Sequence, residues 1–137
     1  MSRDLEPLWL EVDDVVVINQ TIVQSSGENH FLRDVGALDS ALRRGPNAYH
    51  YDGQRNPMLI AALIVHGIGK AHAFEQGNKR TAWSAARIFL MMNGIELNIP
   101  EDQQLAVAIG VEALIAGNST IYGFADQIAE FGKSIPI

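Results

Sequence analysis

Between His72 and Arg80 the chain gathers a histidine, amides, two cations and a glycine: His72-Ala73-Phe74-Glu75-Gln76-Gly77-Asn78-Lys79-Arg80. The run Thr81-Ala82-Trp83-Ser84-Ala85-Ala86 then reads as the opening of a helix. A helix N-terminus offers unpaired backbone N–H groups and the positive end of the helix dipole, which makes it a seat for anions. Gly77 lets the backbone approach closely or take positive φ. Asn78, Lys79 and Arg80 add an amide and two charge-assisted donors suited to phosphate oxygens. Two cations at that end of a helix oppose its dipole, and an anion is the simplest compensation. Thr81 either caps the helix or adds its N–H to the same cradle. His72 is the one nearby side chain able to take up a proton near neutral pH. A base beside a phosphate cradle suggests phosphoryl or nucleotidyl transfer to a hydroxyl.

These residues, His72 through Arg80, resemble the signature loop of the Fic/Doc superfamily, and Lys79, where adenylylating members have glycine, points to its death-on-curing (Doc) branch. The likeness extends over about residues 9 to 131, including Leu32 to Leu42 and the helix ending Phe89-Leu90-Met91-Met92-Asn93-Gly94. The resemblance implies that His72 is the general base for a protein hydroxyl, with ATP as co-substrate. Gly77, Asn78, Lys79 and Arg80 would bind its phosphates, and Lys70, two residues before His72, stands where the family often has a basic residue. A cation favoured at a helix C-terminus explains Lys70 equally well. Phe74 reads as a buried loop anchor. At the position of Gln76 the family usually holds Mg2+ through aspartate, glutamate or asparagine. A glutamine carbonyl is a neutral, weaker ligand for a hard cation, which leaves both metal use and full turnover open.

The resemblance implies a toxin that transfers the γ-phosphate of ATP to a protein, with elongation factor Tu as the family's known target. Protein adenylylation, or a binding module impaired by Gln76, are the other readings. Fic-type autoinhibition uses Ser or Thr, three spacers, then Glu and Gly or Asn. Glu28-Asn29 follows Gln24 at that distance, and Glu6, four after Ser2, precedes Pro7, so inhibition is expected in trans from an antitoxin.

The whole chain bounds these readings. Its 137 residues suffice for one domain with its own core, expected over 1–137. Hydrophobic residues make up 47% and charged ones 19%, a globular balance. Zero cysteines exclude disulfides and thiolate chemistry and fit a reducing cytoplasm. A formal charge of −6 argues against a nucleic-acid binder. No signal-peptide core opens the chain, and the apolar run from Met58 is too short to span a bilayer, so no membrane partner is expected.

Positioning the loop requires helices. The pattern predicts an all-α, compact Fic/Doc-like bundle of about six helices around a central helix–loop–helix. A short extended lead over residues 1–11 would dock Trp9 and Leu10. Val12 to Ser25 forms a first helix, and Asp34 to Arg44 a second that Gly45-Pro46 stops. Residues 47–56 are expected as a polar loop, where the family has a flap beside the catalytic loop that positions the target. Pro57 opens a third helix to about Lys70, apolar all round and therefore central. A fourth runs from about Lys79 to Met92, with Ala82, Ala85 and Ala86 allowing close approach, and residues 95–99 form an extended link. A fifth starts at Pro100-Glu101-Asp102, and Ser119 or Thr120 caps a last one through about Phe131. Gly67-Ile68-Gly69-Lys70 lacks P-loop spacing, and the half zinc motif from His72 to Glu75 lacks its second histidine. His66 is expected as a hydrogen-bonded core residue, and His30 and His50 as loop residues without partners.

Overall fold

A computed structural model describes residues 5–137; the first four residues of the expected lead, Ser2 among them, lie outside it. Six α-helices follow in order: α1 Val12–Ser25, α2 Val35–Asp52, α3 Pro57–Ala71, α4 Asn78–Met92, α5 Gln104–Ala116 and α6 Ile121–Ala129. The fold is the expected helical bundle. Helix α3 is its axis, packed by α2, α4, α5 and α6, while α1 lies on α4. Nine of the residues of α3 are buried, from Met58 to Gly69, as an apolar circumference demands. Ala82, Ala85 and Ala86 of α4 are wholly buried, and Gly67 lies so close to α2 that a Cβ there would sit 3.2 Å from the Ala41 carbonyl.

The stop expected at Gly45-Pro46 does not occur. Helix α2 runs on to Asp52, so residues 47–52 are helix and only the short link after them is irregular. Gly45 is small for packing: a Cβ there would meet Trp9 Cζ3 at 3.2 Å and Ile60 Cγ2 at 3.4 Å. Trp9 stacks on Phe89 with centroids 5.7 Å apart and meets Tyr49 edge-on at 6.1 Å. Burying Tyr49 in that cluster offsets the hydrogen bond that Pro46 removes. The helix ends instead at Gly53, whose φ of 69° closes the turn. Arg55 then folds back 3.9 Å over the Tyr49 ring.

Three smaller boundaries also move. Residues Glu101–Gln103 form a 3-10 turn before α5, and Asn78 rather than Lys79 begins α4. Helix α6 is capped by the Thr120 hydroxyl, which accepts from the Gly123 N–H at 3.0 Å, and ends at Ala129. The extended link contains a strand, β1 Ile95–Leu97, antiparallel to β2 Gly132–Ser134, with Ile95 opposite Ser134. Among the described residues, no helix is long and apolar enough to cross a membrane.

Candidate active site

The site forms where α3 gives way to α4. His72 is the C-cap of α3 at φ 47°, ψ 42°, the sole non-glycine with positive φ among the described residues. A left-handed backbone at a residue with a Cβ costs about 1–2 kcal/mol, so the surroundings must hold it. Its imidazole is exposed and takes no hydrogen bond from the described residues, while Ala73 and Phe74 immediately after it are buried.

Four sets of bonds hold the loop. Residues 31–34 lie against it as a short antiparallel bridge, Leu32 opposite Phe74, with Arg33 N donating to Ala73 O at 2.7 Å and Glu75 N to Phe31 O at 2.9 Å. This segment, not residues 47–56, is the one beside the signature loop. The expected flap site lies at the far end of α3, a helix of about 22 Å at ~1.5 Å per residue. The Arg33 guanidinium donates to the His72 and Phe74 carbonyls, both at 3.3 Å. Asn78 turns its amide back on the loop, accepting from Phe74 N at 3.1 Å and donating to Phe74 O at 2.8 Å. Phe74 itself is fully buried, 6.0 Å from the His30 ring.

The fourth set comes from α1. Asn19 has no exposed surface; its Nδ2 donates to the Gln76 carbonyl at 2.8 Å and the Thr81 hydroxyl at 3.0 Å. His30 Nδ1 meets Asn19 Oδ1 at 2.8 Å, which fixes the amide's orientation. His30 is thus partnered rather than isolated, and His50 likewise meets Glu6 at 3.0 Å. A polar residue in an apolar helical stripe was the one available signal for Asn19.

The cations diverge. Lys79 Nζ pairs with Glu112 of α5 at 3.0 Å. Arg80 pairs with Glu28 at 2.6 Å and donates to Ser26 Oγ at 3.3 Å. Glu28, set aside in the sequence for want of a hydroxyl four residues earlier, therefore sits on the signature arginine. The Ser26 hydroxyl, and then Arg80, hold its carboxyl below the usual carboxylate range. Lys70 joins neither pair; it lines a separate groove with Ser40 and Arg44. Between the two diverging side chains, Gly77 at φ 74° opens α4 with no side-chain cap. A Cβ on Gly77 would lie 2.9 Å from Val23 Cγ1. The first turn of α4 therefore begins without a side-chain cap, and its two cations are each held by a surface carboxylate.

Gln76 is exposed, and the loop's one carboxylate, Glu75, faces the Asn29 amide at 3.4 Å. Among the described residues no three His, Cys, Asp or Glu side chains gather as a metal site. This donor set does not fit a resident Mg2+, which favours carboxylate oxygens.

An exposed imidazole at the C-cap of α3, five residues before the uncapped N-terminus of α4, marks a helical protein organised around a helix–loop–helix. Residues 9–90 match the Fic/DOC family, and the chain belongs to it. It is 44% identical over 68 residues to the Toxin Doc of Mycolicibacterium smegmatis, a stretch covering 48% of this chain and 52% of that protein. The match thus spans about half the length of that relative. Over 120 residues it is 22% identical to the Protein kinase doc of Escherichia phage P1, covering 83% of this chain and 95% of the relative.

Proposed function

We propose that this protein is a Doc-like toxin that transfers the γ-phosphoryl group of ATP to a hydroxyl of a target protein, a translation factor of the elongation factor Tu kind, in the cytoplasm. The observation that carries this reading is His72: its imidazole exposed and without a hydrogen-bond partner among the described residues, on a strained backbone five residues before an uncapped helix N-terminus. In the reaction, His72 takes the proton of the target hydroxyl as its oxygen attacks the γ-phosphorus. The bond from the γ-phosphorus to the bridging oxygen breaks, and ADP leaves with that oxygen. The first-turn N–H groups of α4, with Lys79 and Arg80, would hold the phosphates after leaving Glu112 and Glu28. Lys79 in place of glycine favours γ- over α-phosphate transfer, and a relative named a protein kinase agrees. Any Mg2+ would arrive on the nucleotide.

Inhibition in trans by an antitoxin follows from the same reading, since a relative is named a toxin. Incubation with γ-labelled and α-labelled ATP and a cell extract tests the transfer. Label from the γ position alone is expected; label from the α position would make the protein an adenylyltransferase. Gln76 supports a second reading, a binding module without turnover. A Gln76→Asp variant as inactive as the parent, with partner binding intact, would favour it.

A further inference from the structure

Away from the signature loop, one face of α2 carries a trough whose cations meet no carboxylate among the described residues. Its α2 wall is a single helical stripe, Ala37, Ser40, Ala41, Arg44, Asn47 and Ala48, at the spacing that brings residues onto one side. Two depressions, of 410 Å³ and 560 Å³, meet at Arg44. The first, floored by Gly67 and Ala71 and rimmed by Lys70, includes no acidic residue; the second ends at Asp52 and the exposed Tyr122.

Arg44, Lys70 and His66 gather at the first depression, whose lining has no acid; Asp52 lines only the second. Arg44 is half-buried, and its one hydrogen-bond partner among the described residues is His66 Nδ1, at 2.6 Å. To accept from a guanidinium, that nitrogen must be unprotonated. Lys70 has no partner among the described residues. Elsewhere Arg43, Lys79 and Arg80 each meet a carboxylate. A partly desolvated guanidinium left with a neutral partner is costly, and an incoming oxyanion relieves that cost. Such a patch in a chain of net charge −6 suits an anion from outside.

The trough's length selects the class of ligand. From Ala37 to Asp52 the α2 stripe rises about 22 Å at ~1.5 Å per residue. That is the reach of about seven extended residues at ~3.3 Å each. Amides at Asn47 and Gln54 and the Tyr122 hydroxyl line the far half and suit a peptide backbone. A nucleic-acid strand would bring a phosphate against Asp52.

We propose that the α2 trough, through Ser40, Arg44 and Lys70, docks an extended polypeptide segment of a partner with acidic side chains at the end nearest His72. This site is independent of the phosphoryl-transfer reading and stands whether or not His72 turns over.

NMR titration tests it on the full-length protein, following backbone amides of α2 and α3, Arg44 Nε–H and the His66 ring. The probes are acetylated hexaglutamate, hexalysine of equal length, inorganic phosphate and an oligothymidylate. Hexaglutamate is expected to shift signals along the Ser40–Lys70 half of the trough, and an Arg44→Gln/Lys70→Gln variant to weaken it at least about tenfold. Ser40→Glu, on an exposed position, tests the same charge requirement should the double variant fail to fold. Hexaglutamate binding that ignores either variant would overturn the proposal, as would no shift in the trough. Equal or tighter binding of phosphate or oligothymidylate at these residues would assign the trough to a phosphate ligand instead. Loss of ATP turnover has no bearing on either outcome.

Discussion

Arg80 Nη2 lies 2.6 Å from Glu28 Oε1, tying the first turn of α4 to the loop after α1. The pair holds the signature arginine in the position that a phosphate oxygen would have to claim. Ser26 Oγ completes it by reaching both side chains. Glu28→Gln removes the competing charge while keeping a side chain of the same size. The affinity for ATP, measured by calorimetry, should rise about two- to fivefold, as fits a solvent-accessible pair. An unchanged affinity would take Arg80 off the nucleotide.

Asn19 connects α1 to Gln76 in the signature loop and to Thr81 in the first turn of α4 while fully buried. Asn19→Ala leaves the Gln76 carbonyl and the Thr81 hydroxyl without their donor and strands His30 Nδ1. A loss of about 2 kcal/mol in urea unfolding is expected. Amide exchange should accelerate in residues 73–77 more than in α3, because the bonds lost belong to the loop.

His72 combines a strained backbone with the proposed role of base, and two substitutions separate them. Glycine accepts φ 47° freely, whereas alanine does not. His72→Gly should therefore be more stable than His72→Ala by about 1 kcal/mol in the same denaturation assay. Both should lack phosphoryl transfer. Residual activity in either would move the base elsewhere.

His66 links pH to stability. Burial, then the charges of Arg44 and Lys70, hold its imidazole below the ordinary pKa of 6.5. As pH falls below 6.5 the unfolded chain takes up a proton that the folded chain refuses, so stability must decline over that interval. Above 6.5 the contribution is fully present. The urea midpoint should drop between pH 6.5 and 5 in the native protein. In His66→Asn, where an amide oxygen replaces the Nδ1 acceptor, that part of the decline should vanish.

The composition of the His72–Arg80 segment, with a base, a glycine and two cations before a helical run, was legible from residue types and spacing alone. So was the central place of α3, because a helix apolar around its whole circumference has nowhere to go but the interior. Local signals misled where a distant residue outweighed them. Gly45-Pro46 reads as a stop until Trp9, far away in sequence, covers the glycine and draws Tyr49 inward. His30 reads as a loop residue without a partner until Asn19 meets it. Glu28 lacks its motif, and Lys79 and Arg80 are neighbours in the chain that the helix turns toward different partners. The sequence by itself determined which groups the protein carries and which helix must be buried, since both follow from composition and periodicity. Which groups face each other was decided by the tertiary structure alone, because those pairings join residues 11 to 52 positions apart and leave no periodic trace.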